Sequence, residues 1–141
     1  MKERAANYFK EGYSCSESVL KAAADEKLIS EHLLPVGTVF SGGISSGCLC
    51  GAAAAGEIII GALKGRTDIS QSPMEAKALA KEFLSKFKQA YGATCCRVLS
   101  AKFDFNSPER KQHCSRMVTG AAEILEELLQ LKKSETEKVH D

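Results

Sequence analysis

Apolar residues recur along most of the chain at the three- and four-residue spacings of a helix, and no stretch alternates as a half-buried strand would. Lys2 to Lys10 reads as a short helix that Gly12 can stop. Ser14, three residues before Glu17, has the spacing of a capping box and opens a second helix, with Val19, Leu20 and Ala23 on its apolar side. Leu33 to Phe40 is short and apolar, with Pro35 at a boundary. Ser41 to Gly47 (SGGISSG) is a Gly/Ser loop. Cys48 to Lys64 then predicts a helix that is apolar on nearly all faces, hence buried, and Gly65 ends it. Ser72-Pro73-Met74-Glu75 predicts a second capping box, with proline at the first helical position and Gly92 as the stop beyond Tyr91. Thr94 can cap a short turn holding Cys95 and Cys96. Ala101 to Asn106 reads as a loop, and Ser107-Pro108 opens a last helix that runs to about Lys132. The expectation is an all-α fold: one compact domain of about five or six helices over 1–132, with a buried central helix after the Gly-rich loop. A charged C-terminal tail is expected over 133–141.

A chain of 141 residues with 44% hydrophobic content suits one domain with a real core. Its 19 basic and 18 acidic side chains give a net charge of +1, which offers no overall electrostatic case for nucleic acid or an anionic membrane surface. The N-terminal stretch MKERAANYFKEG has no apolar core of the kind a secretory signal needs. The most apolar run, Ala52 to Leu63, is shorter than a membrane span and contains Glu57. These features predict a cytoplasmic protein with reduced thiols and no membrane insertion.

Six cysteines then become the candidate chemistry: Cys15, Cys48, Cys50, Cys95, Cys96 and Cys114. In a reducing compartment such a set is more often metal-binding or catalytic than structural. Cys15, Cys48, Cys50, Cys95 and Cys96 all fall near expected helix starts, where unpaired N–H groups and the helix dipole favour a thiolate. Cys114 shares a helical stripe with Val118, Ala121, Leu125 and Leu128, and Cys15 aligns with Val19 and Ala22, so both should point inward. Against this, free cysteine commonly serves as a small core hydrophobe. There is no CxxC pair, so neither the usual dithiol motif nor a zinc ribbon is indicated. The glycine loop lacks the Gly-Lys-Ser/Thr ending of a phosphate-binding loop. Gly43, Gly47 and Gly51 are instead candidates for close backbone approach to a cofactor or a neighbouring helix. Glu57 lies seven residues from Cys50, on about the same face. A solvent-facing position is favoured for it over proton exchange with a redox centre. His32, His113 and His140 all read as surface residues.

GYSCSESVL, the Gly-rich loop followed by CGAAAAG, then GATCCRVL and HCSRMVTGAAEILEEL occur in that order. Together they resemble the redox-active proteins named for a C…GCAxxG…C…C pattern, over about Gly12 to Leu129. The resemblance maps the family's four cysteines onto Cys15, Cys50, Cys96 and Cys114. Cys96 is chosen over Cys95 because Arg97 and Leu99 follow it as in the family's C-R-x-L pattern. Cys48 and Cys95 are then extra. The chain carries Ala55 where the family expects glycine, with Gly56 next. The resemblance implies an all-helical domain with a redox role and no known substrate. Related domains occur fused to electron-transfer modules, which implies electron transfer with a redox partner protein.

Three functions follow. The first is a redox centre in which Cys15, Cys50, Cys96 and Cys114 ligate an iron–sulfur cluster or another thiolate-bound metal used in electron transfer. The second is metal-free thiol–disulfide chemistry by two of the four. The third is a helical interaction module, such as a homodimer or other homo-oligomer, with cysteines as core filler.

Overall fold

A computed structural model describes residues 1–104 and 106–130, so the expected tail over 133–141 lies outside the described residues. The described residues are all-α, with seven α-helices: α1 (Lys2–Glu11), α2 (Cys15–Asp25), α3 (Leu34–Thr38), α4 (Gly51–Lys64), α5 (Met74–Tyr91), α6 (Cys96–Leu99) and α7 (Pro108–Leu129). Five are substantial, and α3 and α6 are single turns.

Local chemistry explains most boundaries. Gly12 takes the left-handed conformation (φ 115°) that closes α1. Ser14 and Glu17 form the full capping box of α2, side chain to backbone in both directions. Ser107 Oγ accepts the Arg110 N–H at the start of α7, with Pro108 in the first turn. The second expected capping box forms only in part. Ser72 Oγ accepts the Met74 N–H at 3.2 Å, and α5 begins at Met74, with Pro73 as its cap.

The helix expected from Cys48 starts three residues late, at Gly51. Residues 48–50 are drawn out of it by long-range backbone bonds. Cys96 N–H donates to Cys48 O at 2.5 Å, and Cys50 N–H donates to Thr94 O at 2.7 Å. These make Leu49 and Cys95 an isolated antiparallel bridge. The preceding Gly/Ser loop is wound rather than extended. Gly42, Gly43, Ile44 and Ser45 all have positive φ, and Cys48 N–H closes the turn onto Gly43 O at 2.7 Å.

α2 packs on α1, α4 and α7, and α7 reaches α1, α4 and α5 as well. The core is alanine-rich, with Val19, Leu20, Ile59, Ile60, Phe83, Phe87, Val118 and Leu125 as its larger members. α4 is buried from Gly51 to Gly56 and again at Ile59 and Ile60, but its last turn is exposed, so the expectation of burial holds for its first three-quarters only. Close approach is taken up at Gly56, where a Cβ would enter the Phe83 ring, so the alanine at 55 leaves the tight packing intact. Among the described residues no helix is long and apolar enough to cross a membrane.

Candidate redox site

Four segments that are far apart in sequence converge on one open cavity of about 500 Å³. Cys15 reaches it from the first turn of α2, Cys50 from the residue capping α4, Cys96 from the first turn of α6 and Cys114 from the second turn of α7. The inward orientation expected for Cys15 and Cys114 is what the structure has. Cys48 and Cys95 are not among the lining residues. Cys48 is exposed, and the Cys95 thiol turns away to donate to Gly47 O at 3.1 Å. The bridge between 48–50 and 94–96 accounts for the sorting of Cys95 from Cys96. Successive residues of an extended segment point to opposite sides, so Cys96 faces the cavity when Cys95 does not.

Glycines shape the cavity in different ways. Gly51 lines it, and a Cβ there would collide with Cys15 Sγ, so only glycine lets α2 and α4 bring their thiols together at this point. Gly43 and Gly47, expected to approach a cofactor, are absent from the lining; they support the wall from behind. A Cβ on Gly43 would come within 2.7 Å of Cys96 Cβ, and Gly47 lies against the Arg97 guanidinium. Gly42 and Ser41 line the cavity instead.

At Cys15 and Cys50 burial outweighs the helix-start groups. Burial pushes Cys15 up, against backbone N–H groups of Gly42 and Ser16 that pull it down. Burial also pushes Cys50 up to about 12, despite help from the Ala53 and Ala52 N–H groups. Cys114 is raised too, again chiefly by burial, with Arg110 drawing it back. Desolvation is the largest cause for all three. Neighbouring thiols add to the rise: Cys114 and then Cys96 act on Cys15, Cys15 and then Cys96 on Cys50, and Cys96 on Cys114.

The reading of His113 as a surface residue is corrected. It is half-buried, lines the cavity, and stacks on Phe103 with centroids 4.8 Å apart. Its Nδ1 lies 2.9 Å from the Arg116 guanidinium. Since guanidinium only donates, Nδ1 accepts and the ring proton is assigned to Nε2. Arg110 and Lys111 also line the cavity, with Lys111 held 5.9 Å over the Phe9 ring. The sequence signal for these three was the RKQHC run beside Cys114, one turn of a helix whose inward face Cys114 already marked.

Glu57 is likewise corrected. It is half-buried, its Oε1 is buried with no hydrogen-bond partner, and desolvation raises its pKa from 4.5 to about 7. A continuous apolar surround from α4 and its neighbours overrides the solvent-facing expectation. Glu57 is not among the residues lining the cavity.

Comparison with known proteins agrees with the sequence motifs. Residues 13–128 match the family described as "Putative redox-active protein (C_GCAxxG_C_C)". The chain belongs to this family. No curated protein and no solved structure matches it.

Membership brings the question of a thiolate-bound metal. The chemistry of the donors fits, because four sulfurs share one cavity. Their arrangement does not. Among the described residues no group of three or more Cys, His, Asp or Glu side chains is placed to hold a metal ion. A tetrahedral site needs its donors about 2.3 Å from one centre. These thiols instead line the walls of a chamber.

Proposed function

We propose that this member of the redox-active family is a thiol–disulfide redox protein whose working thiols are Cys96 and Cys114, with Cys15 and Cys50 as a second, deeper pair. The observation that carries the reading is the sorting of six cysteines. The four of the family pattern line one cavity, and the two extra ones do not. A chamber walled by thiols but open at its centre suits a substrate that enters between them. Cys96 is half-buried, lines the cavity and is more accessible than the buried Cys50. Cys114 is raised by burial, and the Arg110 guanidinium beside it offsets part of that rise.

The exchange balances as follows. Cys96 thiolate attacks one sulfur of a disulfide R–S–S–R, forming a Cys96–S–S–R bond and releasing R–S⁻. Cys114 thiolate then attacks Cys96 Sγ, forming Cys96–S–S–Cys114 and releasing the second R–S⁻. The protein dithiol loses two electrons, the substrate gains them, and the two thiol protons end on the two R–SH products.

A second reading, a cluster held by all four thiolates for electron transfer, is favoured by the purely sulfur character of the set. It requires the sulfurs to close in on one centre. When bound, such a cluster supplies one-electron transfer.

One preparation separates the two. Protein purified without oxygen is analysed for iron and zinc, then oxidised with a small disulfide and peptide-mapped without reduction. The thiol reading expects substoichiometric metal and a reversible Cys96–Cys114 disulfide. Stoichiometric iron with a visible absorption band lost on Cys50→Ser would overturn it in favour of the cluster.

A further inference from the structure

The α7 side of the chamber, from which Cys114 also projects, is basic. Arg110 and Lys111 from the first turn of α7 line it, and His113 lies one turn on. Asn106 and Ser107 add neutral polar groups beside them. Among the described residues no Asp or Glu lines the chamber, although the chain as a whole carries 18 of them against 19 Lys and Arg. The described lining is therefore net basic, and the thiols do not offset this, because burial holds Cys15, Cys50 and Cys114 toward the neutral form. Lys111 Nζ lies 5.9 Å from the Phe9 ring centroid, a cation–π contact at the chamber wall.

A cavity with low-dielectric walls and one sign of charge concentrates ligands of the opposite sign. We infer that the chamber binds small organic anions, and that the disulfide exchanged there is one carrying carboxylate or similar oxyanion groups. Arg110 and Lys111 take the anionic groups, which holds the sulfur–sulfur bond beside Cys114, one turn further along α7, and within reach of Cys96 from α6. The covalent step is the exchange already written, with R bearing the negative charge. This inference rests on the thiol–disulfide reading for its redox half. Its anion-binding half stands on the cavity alone.

Two arms test the halves separately on the reduced, full-length protein. In the first, iodoacetate and iodoacetamide compete for the thiols, and peptide mapping gives the rate ratio at Cys96 and Cys114. Exposed Cys48 serves as the internal reference for the intrinsic difference between the reagents. Electrostatic focusing predicts a ratio about tenfold in favour of the anion at low salt, falling toward the Cys48 value at high salt. Arg110→Gln with Lys111→Gln should abolish the preference. If circular dichroism shows the double variant unfolded, Lys111→Gln alone, at an exposed position, should reduce it by at least about threefold. A ratio at Cys96 and Cys114 equal to that at Cys48 overturns the anion site.

In the second arm, dithiodiglycolate, hydroxyethyl disulfide and cystamine supply anionic, neutral and cationic disulfides of similar size. The expected order of exchange at Cys96 is anionic, then neutral, then cationic. Equal rates for the three, all faster than at Cys48, keep the thiol–disulfide reading and overturn the anionic substrate. Exchange no faster at Cys96 than at Cys48 with any of them overturns the redox reading and the substrate class with it. The iodoacetate ratio then still decides the anion site.

Discussion

Glu57 should make the stability of this protein fall as pH rises through the neutral range. Its carboxyl is partly buried, one oxygen has no partner, and its pKa stands near 7 instead of 4.5. Below about pH 4.5 the group is protonated in both the folded and unfolded chain and contributes nothing. Between 4.5 and 7 the unfolded chain has released the proton while the folded chain retains it, so the unfolded state is favoured progressively. Above 7 the loss is complete and constant. Taken in full, the rise from 4.5 to 7 corresponds to about 3 kcal/mol, at about 1.4 kcal/mol per pH unit. The carboxyl retains partial access to solvent, which screens the charge, so the expected loss is about 1–2 kcal/mol. Glu57→Gln removes the ionisation and keeps the shape. Urea unfolding under reducing conditions at pH 5, 6, 7 and 8 should show the parent losing that amount relative to the variant, with the curves closest at pH 5. A stability difference that is the same at all four pH values, or one that grows toward acid, refutes the desolvated carboxyl.

Other substitutions test the chamber wall. Cys50→Ser should remove the deeper Cys15–Cys50 pair and leave the Cys96–Cys114 disulfide, whereas Cys48→Ser, two residues earlier and exposed, should leave both, as peptide mapping of oxidised protein would show. Gly51→Ala drives a Cβ into Cys15 Sγ and to 3.0 Å from Phe40 O. It should cost about 1–3 kcal/mol in urea unfolding, as overpacking does elsewhere. Brief alkylation of the reduced protein near pH 7.5 should label Cys50 at least about a hundredfold more slowly than Cys48, given a thiol pushed up to about 12 against the ordinary value near 8.5. Equal labelling would mean that the Cys50 pocket admits water.

What was legible in the chain is what short-range chemistry decides. Ser14 and Glu17 fix the start of α2 with bonds three residues long, and Gly12 and Gly92 close helices by their own backbone freedom. The stripe through Cys114 and Val118 places that thiol correctly because α7 continues unbroken through it. The misplaced start of α4 has the opposite cause. Cys48 to Cys50 have a helical-looking sequence but find hydrogen-bond partners some 45 residues away, at Thr94 and Cys96. Thiol tuning failed for a related reason. A helix start favours a thiolate only where sulfur remains hydrated, and Cys15 is covered by Gly51 of another segment. His113 and Glu57 show the same limit in reverse. Each looks solvent-bound on its own helix, and each is enclosed by what the rest of the chain brings over it.

The Leu49–Cys95 bridge also divides the molecule into a part that must keep its dimensions and a part that need not. Between the two bridged residues the chain runs out along α4, turns through the exposed segment 65–73 and returns along α5. The bridge closes that excursion at its base. α4, at 14 residues, carries the turn about 20 Å from the thiols. The far end is thus mechanically insulated from the chemistry, since a longer connection there changes neither the closure at 49 and 95 nor the spacing of Cys50 and Cys96. Closing a longer loop costs little entropy, roughly 0.6 kcal/mol for each doubling of length. Segment 65–73 is therefore the place where this chain can carry an inserted tether, tag or further domain without disturbing its sulfurs.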